Sequence, residues 1–250
     1  MELLSGKTAL ITGASRGIGA ATAQMLAAHG AAVIVNYMNS KQAADQIVKD
    51  IEVKGGKAFA VQADVSDPAQ IKQMVAKANE KYGQINIMVL NAGFSFPVMP
   101  FLQYPWEAFE TKLTNELKSA FHCCKEVVPG MIERKSGHII AVSSGLSRQP
   151  GFGFCAHSTA KSGLDAFAKS LALELGPDGI RVNVIAPGLT DTDATSNLPA
   201  DIKNMIANHT PLKRYAVPED IAGAILMLAA DQSKFITGAY IPVSGGIQII

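Results

Sequence analysis

Cysteine is scarce and unpatterned: Cys123, Cys124 and Cys155 are the three in the chain, with no C-x-x-C pair and no metal-ligand spacing. An odd set of this kind excludes a disulfide framework and suits a reducing compartment, where thiols serve as small packing residues. The five histidines are scattered, and no two share a helical face with a carboxylate at ligand spacing, so no metal site is expected. An excess of one charge is missing too, and a formal net charge of +1 gives no global attraction to nucleic acid or to a membrane surface. The longest apolar run, Ile221–Ala230, is too short to span a bilayer. The segment Met1–Lys7 lacks the apolar stretch of a signal peptide, so a cytoplasmic protein is expected. No Pro/Ser/Gly-rich linker divides the sequence, and residues 1–250 are read as a single domain with the 48% hydrophobic content of a large core.

What the chain does have is alternation. Short β-branched runs at Thr8–Thr12, Ala32–Asn36, Ala58–Gln62, Ile85–Leu90, His138–Val142, Arg181–Ala186 and Tyr240–Val243 read as strands. Helical patterns lie between them, near Gly17–His29, Lys41–Lys54, Pro68–Tyr82, Trp106–Glu133, Thr159–Leu175 and Pro218–Ala230. Strands this uniformly apolar need cover on both faces. The pattern predicts an α/β, doubly wound Rossmann fold: one open parallel sheet of about seven strands with helices on both faces. In such sheets ligands bind beyond the carboxyl ends of the strands, so the residues that follow each strand hold the candidate sites.

After the first strand comes Thr12-Gly13-Ala14-Ser15-Arg16-Gly17-Ile18-Gly19, then an Ala-rich helix. The glycines allow a tight turn and close backbone approach, and the helix start offers free N–H groups to a pyrophosphate. An ordinary Gly-rich strand-to-helix turn is the plainer alternative. TGASRGIG resembles the TGxxxGxG fingerprint of the short-chain dehydrogenase/reductase family, and the resemblance continues along essentially the whole chain. Asp64-Val65 resembles the pair that holds the adenine, and Asn91-Ala92-Gly93 the NAG motif. Pro187-Gly188, with Thr190 and Thr192 beyond, resembles the segment that grips the nicotinamide carboxamide. The resemblance implies cofactor contacts at Gly13, Ser15, Arg16, Gly17, Ile18, Gly19, Asp64, Val65, Asn91, Ala92, Gly93, Lys161, Pro187, Gly188, Thr190 and Thr192. At the adenosine ribose, a 2′-phosphate needs a cation and no carboxylate. The second strand ends in Asn36-Tyr37, Ser40-Lys41 follow, and Arg16 lies in the glycine loop, so NADP(H) is the expected cofactor, with Asn36 as a contact. Arg16 and Lys41 could instead be solvated surface charges.

The family's chemistry uses a Ser, a Tyr and a Lys, the last two in a YxxxK pattern on one helix, with an Asn on the long helix before the fifth strand. Ser144 and Lys161 match, whereas the Tyr position holds His157 and the Asn position holds Glu116, with Asn115 one residue away. A one-residue shift turns a helical side chain by about 100°, so Asn115 is no simple substitute for Glu116. An imidazolium at His157 would be a competent acid: Lys161 would depress its pKa, and the Glu116 carboxylate would offset that. His157 could equally fill space left by a Tyr. Phe154, near where the family's enoyl reductases carry their Tyr, has no hydroxyl. Phe94, Phe96, Val98, Met99, Phe101, Leu102, Phe152 and Phe154 suit an apolar substrate pocket, or else core or subunit interface, and Asp193–Leu212 reads as a mobile lid. The resemblance is strongest to 3-oxoacyl carrier-protein reductases and implies an NADPH-dependent reductase of a carbonyl, such as an acyl thioester. A second possibility is a catalytically weak or inactive NADP(H)-binding subunit. The resemblance also implies a homotetramer, which the apolar segment Gly246–Ile250 and the long helices suit.

Overall fold

Successive side chains of a strand point to opposite faces, and here both faces meet apolar helices. In β1 (Thr8–Ile11) Leu10 enters one core while Ala9 and Ile11 enter the other. The computed structural model describes residues 2–249, so Met1 and Ile250, the ends of two segments read above, lie outside the described residues. The chain continues through α1 (Gly17–Ala28), β2 (Ala32–Tyr37), α2 (Lys41–Val53), β3 (Lys57–Gln62), α3 (Pro68–Tyr82) and β4 (Ile87–Leu90). It then runs through α4 (Trp106–Glu133), β5 (Gly137–Val142), α5 (Cys155–Leu175), β6 (Ile180–Pro187), α6 (Ala200–His209), α7 (Pro218–Ala229) and β7 (Tyr240–Val243).

All seven strands pair in parallel in the order β3-β2-β1-β4-β5-β6-β7, which is the doubly wound sheet the alternation predicts. Helices α1, α2 and α7 pack on one face, and α3, α4 and α5 on the other. The strand order reverses between β1 and β4, which opens a crevice at their carboxyl ends. Among the described residues no helix is long and apolar enough to cross a membrane, and no group of three His, Cys, Asp or Glu could hold a metal ion.

Two elements differ from expectation. Helix α5 starts at Cys155 rather than Thr159, because the Thr159 hydroxyl bonds back to the Cys155 carbonyl (2.8 Å) inside the helix instead of capping it. The stretch read as a lid contains α6, which buries no residue completely and so leaves little apolar periodicity to read.

At the far end of the sheet Arg181 on β6 is buried beside its cross-strand partner His138 on β5. Its guanidinium donates to the Leu228 and Ala230 carbonyls at the end of α7, to Ile236 O, and to His138 Nδ1, which fixes that ring as a neutral acceptor. Burial, then Arg181 and Lys7, push His138 down to about 4. A depressed histidine stabilises the fold above its unfolded pKa of about 6.5, and that contribution is lost as pH falls towards 4. Chemical denaturation from pH 7 to 4 should therefore show a stability loss of up to about 3 kcal/mol from this group. His138→Gln, which keeps an acceptor but cannot titrate, should flatten that slope; an unchanged slope would contradict the assignment.

Candidate active site

The crevice is lined by a loop that the protein holds from two sides. Thr12 Oγ1 accepts from the Asn91 and Ala92 N–H groups (2.9 and 3.0 Å), and Asn91 Nδ2 donates to the Thr12 and Gly13 carbonyls (2.8 and 3.1 Å). From β2, Asn36 Oδ1 accepts from Gly13 N–H (3.1 Å) and Asn36 Nδ2 donates to Ala63 O (3.1 Å). Gly13 has φ +61°, and a β-carbon there would lie 2.9 Å from Ala92 Cα. At Gly19 a β-carbon would lie 2.5 Å from the Gly13 carbonyl oxygen and 2.6 Å from Asn91 Nδ2. The backbone can come this close only without side chains.

The loop delivers the start of α1 to the crevice with no side-chain cap and no acidic residue in the first turn. Its leading N–H groups are thus free for an anion, and the residues fit the pyrophosphate of a dinucleotide. Arg16 is exposed, with Asp193 at 3.9 Å, and Thr192 lies over Gly17, its Cγ2 3.3 Å from where a β-carbon would be. Thr190 is buried and donates to Gly188 O (3.1 Å), and Gly188 N–H bonds Val243 O (3.0 Å), which ties the segment after β6 to β7. Asp64 Oδ1 accepts from the Ser66 N–H and hydroxyl (2.8 and 2.7 Å), and Val65 turns into the core. Ser15 and Ile18 are half-buried, and no neighbour lies within 4 Å of a β-carbon placed on Gly93.

Behind the crevice, α4 and α5 bring three charges together. Glu116, 3% exposed, accepts at Oε1 from Lys161 Nζ and at Oε2 from Lys112 Nζ, both at 2.6 Å. Lys161 Nζ also donates to Val142 O (2.8 Å), and Lys112 Nζ to Phe94 O (3.0 Å). Burial would raise the Glu116 carboxyl, but the two ammonium groups outweigh it and hold it below the ordinary carboxylate range. Lys112 is lowered, mainly by burial, against the pull of Glu116.

His157 lies one turn before Lys161 on α5. Phe96 stacks on the imidazole (centroids 4.6 Å, planes 18° apart), Phe154 meets it edge-on at 6.4 Å, and its Nδ1 is buried with no hydrogen-bond partner. Burial, then Lys161 and Lys112, push the ring down to about 3, against which Glu116 alone pulls upward. This corrects the expectation of an imidazolium. The Glu116 charge is shared by two cations, the cluster is net positive, and the ring is neutral near pH 7.

The family model described as "Enoyl-(Acyl carrier protein) reductase" matches residues 13–248. A 3-oxoacyl-[acyl-carrier-protein] reductase of Synechocystis sp. is 40% identical over 248 residues, covering 99% of each chain. The chain belongs to the short-chain dehydrogenase/reductase family of oxidoreductases. Another relative, an L-rhamnose 1-dehydrogenase (NAD(P)(+)) of Sphingomonas sp., is 38% identical over 252 residues, covering 100% of this chain and 99% of its own. Among solved structures, a blue fluorescent protein from a metagenomic library in complex with NADPH superposes with a TM-score of 0.90 at 34% identity, covering 98% and 99% of the two chains.

Against the short-chain dehydrogenase/reductase pattern, the structure brings together Lys161, Glu116 and His157. Ser144 follows β5 as expected, with its Oγ accepting from Leu146 N–H (3.2 Å) and its carbonyl taking the Tyr240 hydroxyl (3.3 Å). Asn115 makes none of the contacts that Glu116 makes. Asn36, expected at the ribose, is 2% exposed with its amide committed to Gly13 and Ala63, so its side chain holds the loop and not the phosphate. Of the expected pocket lining, Phe96 and Phe154 surround His157 and Phe94 packs on the core, whereas Val98, Phe101, Leu102 and Phe152 are exposed. Sequence reasoning missed Lys112. Its only signal is the i, i+4 spacing to Glu116, which on most helices marks a solvated surface pair.

Removing one partner of a buried charge cluster strands the others. Glu116→Gln should therefore lower unfolding free energy by about 3–5 kcal/mol, seen as a fall in Tm and in denaturant midpoint. A loss within the range of surface substitutions, about 0.5 kcal/mol, would show that the cluster is not held as described.

Proposed function

We propose that the chain is an NADPH-dependent reductase of a carbonyl, a 3-oxoacyl thioester or a similar apolar ketone, working with a Ser144–His157–Lys161 set. The observation that carries this reading is Lys161. Its ammonium has three donors, and the protein takes two of them at Glu116 and Val142 O, leaving one for the nicotinamide ribose or the substrate. Arg16, the exposed cation of the glycine loop, is the group suited to a 2′-phosphate. When bound, the reduced nicotinamide supplies the hydride for the carbonyl carbon. Ser144 polarises the carbonyl oxygen. With Nδ1 buried and unpartnered, the less costly tautomer of His157 leaves a lone pair there and puts the proton on Nε2, because a stranded lone pair is better tolerated than a stranded N–H. The ring then acts as a neutral hydrogen-bond donor to the developing oxyanion, and the alkoxide left by hydride transfer takes its proton from the remaining Lys161 N–H, the amine being reprotonated from solvent. Phe154 offers no hydroxyl for reduction of an activated double bond. The same reading takes the chain as a cytoplasmic homotetramer built on the exposed apolar sides of its long helices, such as Phe121 on α4.

The depressed His157 favours a second reading, a catalytically weak or inactive NADP(H)-binding subunit, because a neutral imidazole is a poor general acid. Calorimetry should find NADPH bound at least about tenfold tighter than NADH, with the preference lost in Arg16→Ala, as a charge-assisted hydrogen bond is worth about 1.5–3 kcal/mol. Equal affinities for the two cofactors would rule out the assignment of Arg16. NADPH oxidation against ketones and oxoacyl thioesters should show turnover that His157→Phe lowers by about 10²–10³-fold without weakening NADPH binding. A wild type inert toward every carbonyl while binding NADPH tightly would leave the second reading standing.

A further inference from the structure

Lys112 has no counterpart in the Ser–Tyr–Lys–Asn pattern, yet it is 2% exposed and is the largest of the fully buried side chains among the described residues. Burying an ammonium is costly, and a methionine would fill the space without that cost. The charge is engaged in three directions: Glu116 Oε2 at 2.6 Å, Phe94 O at 3.0 Å, and the face of Phe96, whose ring centroid is 5.1 Å away. Each engagement ends on a group at the candidate site. Glu116 holds Lys161, Phe94 and Phe96 lie on the loop that begins with Asn91–Gly93, and Phe96 stacks on the imidazole of His157.

We propose that Lys112 is a positioning residue of the active site, a buried cation that fixes Glu116 against Lys161 and Phe96 against His157 and so orients the imidazole for hydrogen-bond donation. This rests on the reductase reading for its purpose but not for its physical content. The charged groups that bear on the ring are Lys161 on its own helix and Lys112 and Glu116 on α4, while the β4 loop and the turn before α5 bring the uncharged rings of Phe96 and Phe154. Taking away Lys112 removes a repelling cation and leaves Glu116 with one counter-charge fewer, and both changes favour protonation of His157.

The test is an NMR titration of histidine-labelled full-length protein, with the His157 signal assigned by His157→Phe. It needs neither cofactor nor substrate, so its outcome stands apart from whether any carbonyl is reduced. In the wild type His157 should stay neutral from about pH 8 to 5, against an ordinary value of about 6.5. Lys112→Met should raise the pH at which the ring titrates, read by carrying both titrations down to about pH 3. Lys112→Arg, which keeps the charge, should leave it neutral, and Lys112→Met with Glu116→Gln should return it towards wild type because only the Lys161 cation remains. Lys112→Gln, which retains a donor for Phe94 O, carries the same expectation as Lys112→Met should that variant not fold. A merely structural lysine would lower Tm in these variants and leave the ring where it was. An unshifted His157 in the neutral variants would overturn the proposal.

Discussion

A carboxylate clamped between two ammonium groups inside a protein holds only when all three charges arrive in register. Lys112 and Glu116 are one turn apart on α4, and Lys161 meets them from α5, so the packing of the two helices is set by charge as well as by shape. The clamp also decides the chemistry next to it. Its net positive field acts on whatever stands at position 157, favouring the anion of a phenol and the neutral form of an imidazole. At position 157 burial first, and then this field, hold the imidazole in its neutral form. Lys112, Glu116 and Lys161 thus form one electrostatic unit, and His157 sits within its field.

The dinucleotide half of the crevice follows the family plan. There the polar side chains after β2 and β4 serve the protein: Asn36 and Asn91 are consumed in holding the glycine loop from either side. What the loop leaves exposed is an uncapped helix start and Arg16, a combination suited to phosphates. One end of the site is thus a cradle of backbone and glycine, and the other is the charge cluster of Lys112, Glu116 and Lys161.

The fold was legible because strands covered on both faces must be uniformly apolar, and runs such as Thr8–Ile11 and Ile87–Leu90 have no other comfortable home. The positions of Ser144, Glu116, His157 and Lys161 were legible from motif spacing. Burial was not. Asn36 is expected at the ribose because it ends a strand beside the glycine loop, and Lys112 shows only a spacing that most helices use for a solvated pair, because nothing in one sequence says which face of α4 meets α5. The protonation of His157 depended first on how deeply the ring is buried, and then on counting the partners of Glu116, whose charge is shared by two lysines. Helix α6 escaped notice for the opposite reason, since a helix that buries nothing leaves no pattern.

The account stands or falls on whether Lys112, Glu116 and Lys161 act as one buried unit. A double-mutant cycle on stability, with Lys112→Met, Glu116→Gln and the pair, measures this directly. The account predicts that the double variant is more stable than Glu116→Gln alone, since it strands one lysine instead of two, with a coupling of about 1–3 kcal/mol. Losses that simply add, leaving the double variant the least stable of the three, would contradict it.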